Sequence, residues 1–166
     1  MFPDSVYLET SDKSSAIKVY TTSGGVLSAP ATASGILGTE RGERVIRFGT
    51  VICSAGNNPI EPFGMTLKSL GGQPNWMGAT NLALLVRTAG RVASITGANW
   101  FVVNDASGLT ASDGNVGVKI LCDSFPVPPV AGRFVMVTGV STTEKVGGQV
   151  YRVIRPRSTD DIVLID

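Results

Sequence analysis

The sequence predicts an all-β chain of two tandem five-stranded Greek-key barrels, the first lacking its own first strand and the pair joined by an ordered irregular strap. Three observations predict it. The chain nearly repeats itself. Short runs rich in Val, Ile, Thr and aromatic residues are separated by clusters of Gly, Asn, Asp and Ser. Helical periodicity is almost absent, and the best helical candidate, Asn81 to Thr88, contains Leu84-Leu85-Val86 and reads as well as a buried strand.

The repeat is specific in its residues. Ala16-Ile17-Lys18-Val19-Tyr20 returns as Gly117-Val118-Lys119-Ile120-Leu121, and Ser34-Gly35-Ile36-Leu37 as Thr138-Gly139-Val140-Ser141. Glu40-Arg41 returns as Glu144-Lys145, and Arg44-Val45-Ile46-Arg47 as Arg152-Val153-Ile154-Arg155, with Tyr7-Leu8 set against Phe101-Val102 on the approach. A period of about a hundred residues is too long for a solenoid unit and suits a duplicated small β domain.

The second copy, 82–166, reads clearly. Leu84 to Ile95 is strand one, and a turn at Thr96-Gly97-Ala98-Asn99 leads to strand two, Trp100 to Asn104. The Gly- and Ser-rich loop Asp105 to Asn115 precedes strand three, Gly117 to Cys122. Pro126 to Gly132 is too Pro-rich for a helix. Arg133 to Ser141 is strand four, with Gly139 where a strand can bend. A hairpin at Lys145 to Gly148 leads to strand five, Gln149 to Arg155, and the tail Asp161 to Ile165 adds an edge strand.

Five strands with a long link between the third and fourth resemble the oligonucleotide/oligosaccharide-binding (OB) fold. More specifically, Gly90-Arg91-Val92, Trp100 to Asp105, Gly117-Val118-Lys119-Ile120, Val137 to Val140 and Arg152-Val153-Ile154 are similar to the tandem OB-like modules of bacterial secreted and cell-surface proteins. The resemblance covers most of 82–166 and reaches 1–55 through the repeat. It implies a fold and a surface or secreted setting, and brings no catalytic residues with it.

The first copy, 1–56, has strand two at Val6 to Thr10, three at Ala16 to Tyr20, four at Thr32 to Leu37 and five at Arg44 to Cys53. Only Met1 to Ser5 precede them, so strand one is missing: the chain was trimmed from a longer protein, or the strand comes from elsewhere. An incomplete barrel offers unpaired backbone groups as a template for strand addition. The strap, 57–81, mixes Pro and Gly with Phe63, Met65, Leu67, Leu70, Trp76 and Met77. A free tether would be poor in large apolar groups, so this segment is expected to pack.

Composition narrows function. Of 166 residues 43% are apolar, which is enough for packed cores, and 20 Gly with 9 Pro supply many turns. Only 16% are charged, and 14 basic side chains nearly cancel 13 acidic ones. The balance argues against nucleic acid, and the weak repulsion favours association. Histidine is absent, which removes the commonest general base and transition-metal ligand. No run approaches the ~20 apolar residues of a membrane helix, and Met1-Phe2-Pro3-Asp4 leads into strand with no signal peptide in the chain.

Candidate sites follow from these strands. A ligand face for single-stranded nucleic acid or glycan would use Tyr7, Lys18, Tyr20, Trp100, Phe101 and Lys119. Assembly contacts would use Met1, Phe2 and Val6 beside the missing strand, and Arg44, Arg47, Arg152 and Arg155 on strand five. Cys53 and Cys122 lack C-x-x-C spacing and read as two buried free thiols, or as a disulfide if the protein is secreted. Asp105, Asp113 and Asn115 lack the alternation of a calcium loop and read as a polar hairpin tip. Gly147-Gly148 and Ser23-Gly24-Gly25 read as turns. The acids Glu40, Glu43, Asp160 and Asp161 lie near turns and are expected to be solvated. No metal, cofactor or enzymatic activity is expected. The sequence therefore points to a non-catalytic structural module of an extracellular or cell-surface bacterial protein that self-associates, with a filament subunit as one form of it. The alternatives are an OB-type binding domain and a domain clipped from a larger enzyme.

Overall fold

A computed structural model describes residues 2, 4–22, 29–56, 59–71, 80–95, 97–122 and 130–165. Met1, Ser23-Gly24-Gly25, Trp76, Met77 and the Pro126 to Pro129 run lie outside the described residues. The chain is all-β, in two sheets. Its strands are β1 (Ser5–Glu9), β2 (Ala16–Tyr20), β3 (Ala31–Glu40), β4 (Glu43–Cys53), β5 (Phe63–Gly64), β6 (Leu85–Ser94), β7 (Trp100–Asn104), β8 (Val118–Leu121), β9 (Phe134–Val146), β10 (Gln149–Arg155) and β11 (Ile162–Leu164). Asn81 to Leu84 forms a turn and Leu85 opens a strand, so the helical option at 81–88 is excluded. β9 runs five residues past its expected end because it continues into the hairpin with β10.

The second sheet pairs in the order β6-β7-β8-β10-β9, and β9 pairs again with β6, which closes the five strands into a ring. β8 and β10 are parallel, and the other ring pairings are antiparallel. Inside lie Phe101, Val103, Ile120, Val135, Val137 and Ile154, all fully buried. Leu67 and Leu70 of the strap join the same core, as a packed strap requires. The strap also bonds to the first sheet, where Lys13 Nζ donates to Glu61 O at 2.6 Å.

The first sheet has the order β1-β2-β4-β3, again with one parallel pair, β2 with β4. Its register reproduces the second. Lys18 pairs with Val45 as Lys119 pairs with Val153, and Val19 with Ile46 as Ile120 with Ile154. Ile36 pairs with Arg47 as Val140 pairs with Arg155. One sequence alignment needs correction: Tyr7 faces Lys18 and Val102 faces Lys119, so Tyr7 matches Val102, not Phe101. The difference matters because a one-residue slip exchanges the two faces of a strand. β4 also does alone what two strands do in the other sheet. Val51, Ile52 and Cys53 pair with Ala33, Thr32 and Ala31 where Ile162, Val163 and Leu164 of β11 pair with Val137, Met136 and Val135.

Gly35 and Gly139 show why glycine recurs in strand four. A Cβ at Gly139 would lie 2.7 Å from Ile154 Cγ2 and 2.8 Å from the Arg155 carbonyl oxygen. A Cβ at Gly35 would lie 2.6 Å from Ile46 Cγ2 and 2.7 Å from the Arg47 carbonyl oxygen, the matching atoms of the first sheet. Gly139→Ala is therefore expected to cost about 1–3 kcal/mol by overpacking, read as a lower urea midpoint at unchanged slope. Gly64→Ala, with nothing within 4 Å of the new methyl, should stay within about 0.5 kcal/mol of wild type.

Candidate functional site

The two sheets differ at one place. In the second, β6 sits between β7 and β9. Their counterparts in the first are β1 and β3, and these are its two edges. Among the described residues no strand lies between them. Among the described residues, then, the sheet is open along a seam.

Burial records the difference. Val140 and Ser141, beside the β6 segment, are 4% and 1% exposed; their counterparts Ile36 and Leu37 are 63% and 56% exposed. Ile52 and Phe48 on β4 are also exposed, Phe48 at a positive-φ position. Among the described residues, β1 to β4 bury only three apolar side chains, Val6, Val19 and Val45. A cleft of about 700 Å³ opens between Tyr7 to Glu9 on one wall and Ala29 to Ala31 on the other, and Pro59 to Glu61 also line it. In the second sheet the matching walls, Asn104 and Phe134, both pair with Arg91 of β6. The cleft is thus the space that β6 fills in the other copy.

A second feature lies at the junction of the sheets. A small pocket of about 90 Å³ is bounded by Lys18, Tyr20, Glu40 and Glu43 on one side and by Thr142 and Arg155 on the other. Glu43 is 5% exposed, which overturns its expected solvation: β3 and β4 turn their hairpin against β9 and β10. Burial raises the Glu43 carboxyl above the usual carboxylate range, against the opposing effects of Thr142 and Lys18. Burial lowers the Lys18 ammonium, with Arg155 adding to it. Tyr20 is pushed up to about 12 by burial and by its hydrogen bond with Glu40, and Tyr7 is raised by burial and by Glu43. Lys18 Nζ donates to Tyr20 Oη at 2.9 Å and lies 4.3 Å from the centre of that ring.

The sequence-derived ligand face is therefore divided. Tyr7, Lys18 and Tyr20 gather at the junction, whereas Trp100, Phe101 and Lys119 belong to the closed ring. Phe101 is fully buried. Lys119 pairs with Glu144 at 2.8 Å, donates to Ser112 Oγ at 2.6 Å and lies 4.6 Å from the centre of the Trp100 ring. Of the expected assembly contacts, Val6 is core, and Phe2 packs edge-on against Tyr7 with the Arg155 guanidinium 4.7 Å from its ring centre. Arg152 donates to Lys68 O in the strap at 3.2 Å. Arg44 and Arg47 are exposed, and Arg44 donates to Thr39 Oγ1 at 3.0 Å. The repeat alignment was the signal that could have exposed Ile36 and Leu37, because their partners Val140 and Ser141 lie beside strand one.

Other expectations are corrected. Cys53 and Cys122 are not joined in a disulfide, but only Cys122 has the expected burial; Cys53 ends β4 exposed on the first sheet's surface. Asp161 is buried, not solvated, because Arg157 folds over it at 2.7 Å. Asp105 accepts the Leu67 amide at 2.8 Å and so fastens the strap, while Asp113 holds Asn115 within its turn. Among the described residues no three His, Cys, Asp or Glu side chains gather into a metal-holding group, and no helix is long and apolar enough to cross a membrane.

Compared with known proteins, the chain matches no protein-family model and no curated sequence.

The raised Glu43 carboxyl binds its proton more tightly in the folded than in the unfolded chain. Stability should then fall as pH rises above the normal carboxylate range. Glu43→Gln is expected to raise Tm at pH 7, with the gain shrinking toward pH 4, where the wild-type carboxyl is protonated too. Thermal unfolding of both proteins across that range checks it.

Proposed function

We propose that the chain is a non-catalytic assembly module of an extracellular protein, a tandem OB-like pair whose first unit is completed by a strand from a neighbour. The OB-like reading is supported by the pairing order of the second sheet, where strands one, two, three, five and four join in a ring around one parallel pair. The first sheet keeps that order without strand one.

The observation that carries the proposal is the pair Ile36 and Leu37, exposed where their counterparts are buried. Open edges beside apolar side chains are a template for pairing with another chain. Low charge, 16% of residues, leaves little to oppose association. Because the seam lies on the first sheet alone, a contact between it and any other surface is head-to-tail, and head-to-tail contacts that do not close give filaments. Ligand binding on the barrel face has less support, since Phe101 and Lys119 are spent on contacts inside the chain.

Sedimentation velocity over a concentration series, with negative-stain electron microscopy of the concentrated sample, tests the reading. Wild type should associate, and Leu37→Asp should weaken association by about tenfold or more, since a buried leucine is worth ~1.5–3 kcal/mol. A wild-type monomer at every concentration overturns it.

A further inference from the structure

Resting on the proposed assembly, we infer that the seam between β1 and β3 accepts an extended strand from another polypeptide, antiparallel to both edges and carrying the side-chain pattern of β6. The equivalence of the two registers defines that strand residue by residue. In the second sheet Leu85, Val86, Arg87, Thr88, Ala89, Gly90 and Arg91 pair with Val140 back to Phe134. By the shared register the guest meets Ile36 back to Pro30 in the same order. On its other side Arg91 and Val92 pair with Asn104 and Val103, which correspond to Glu9 and Leu8.

Three requirements follow. Positions matching Val86, Thr88 and Val92 point inward, as they do in β6, where all three are buried and the residues between them, Arg87, Ala89 and Arg91, are exposed. They must be uncharged and mostly apolar. The position matching Gly90 must be glycine: a Cβ there would lie 2.7 Å from both Asn104 O and Val103 Cγ1, and Glu9 and Leu8 stand at the corresponding points. The position matching Arg91 should be cationic. Glu9 and Glu61 both line the cleft against one ammonium, Lys13. Lys13 pairs with Glu9, whose other oxygen accepts the Leu85 amide, so the carboxylate left over is Glu61, which makes no ion pair among the described residues. The charge of the cleft thus complements a guest arginine.

A synthetic peptide copying residues 84–95, LLVRTAGRVASI, is the probe. Fluorescence anisotropy should show saturable binding to the full chain, held below the concentration at which it associates. The peptide with Val92→Asp should bind at least tenfold more weakly, and the peptide with Arg91→Glu several-fold more weakly. Leu37→Asp in the chain should weaken binding of the unaltered peptide about tenfold, while the thermal transition of the chain stays that of wild type, since Leu37 is exposed. No binding by the unaltered peptide, or equal affinity for Val92→Asp, overturns the inference even if the chain still associates by itself. Peptide binding by a chain that never associates supports it while removing the assembly proposal.

Discussion

Ring closure by β6 against β9 is the constraint on which this structure depends. Seven consecutive residues, Leu85 to Arg91, pair with Val140 to Phe134. That ladder removes both edges of the five-strand set and covers Val135, Val137 and Val140. The second sheet can then gather a core large enough to hold Phe101, Ile120, Ile154 and the strap leucines in one cluster. The first sheet uses the same strand order and the same parallel pair without the closing strand, and it buries three valines among its described residues. The contrast shows what the closing strand contributes together with the strap leucines, since the remaining strands share one pairing order.

The first sheet instead leans on its neighbour. Ala16 packs against the second core, Glu9 Oε2 accepts the Leu85 amide at 2.9 Å, and Thr143 Oγ1 donates to Arg41 O. These contacts set a polar cluster between the sheets. The lysine of strand three illustrates how context changes its role. Lys119 is neutralised by Glu144 within the ring. Lys18, at the same register position and equally buried, lies against Tyr20 and faces Glu43 and Arg155 of the junction. Burial raises Glu43 and lowers Lys18, so both charged forms are disfavoured there. A duplicated residue pair has thus become internal ion chemistry in one copy and contact chemistry in the other.

Much of the fold was legible because strands of Val, Ile and Thr alternate between turn residues, and because the repeat fixed the register of strands three, four and five. Lys18 against Lys119, Ile36 against Val140 and Arg47 against Arg155 align in the ladders as they align in the sequence. The approach strand did not, since Tyr7-Leu8 and Phe101-Val102 are both apolar pairs and nothing local distinguishes a slip of one residue. The fates of Glu43 and Asp161 were not legible either. Each is an acid next to a turn, and only tertiary placement, against β9 in one case and under Arg157 in the other, buries it. The candidate site was legible as an absent strand; its apolar lining was not, because exposure of Ile36 and Leu37 depends on what fails to cover them.

The magnitudes also constrain what can close the seam. Burying Ile36 and Leu37 yields at most ~1.5–3 kcal/mol each, whereas association costs an estimated 4–15 kcal/mol in lost freedom. Two side chains alone cannot hold a partner. A strand that also pairs along β3 and fills the cleft beside Tyr7 to Glu9 adds backbone hydrogen bonds of about 0.5–1.5 kcal/mol net each and its own inward side chains. Closure therefore favours a long guest over a short one; β6, at ten residues, is twice the length of β1 and spans both neighbouring strands. A contact that used the β3 edge alone would leave the cleft unfilled and gain only half of this. The physical demand on a partner is a strand long enough to serve both walls.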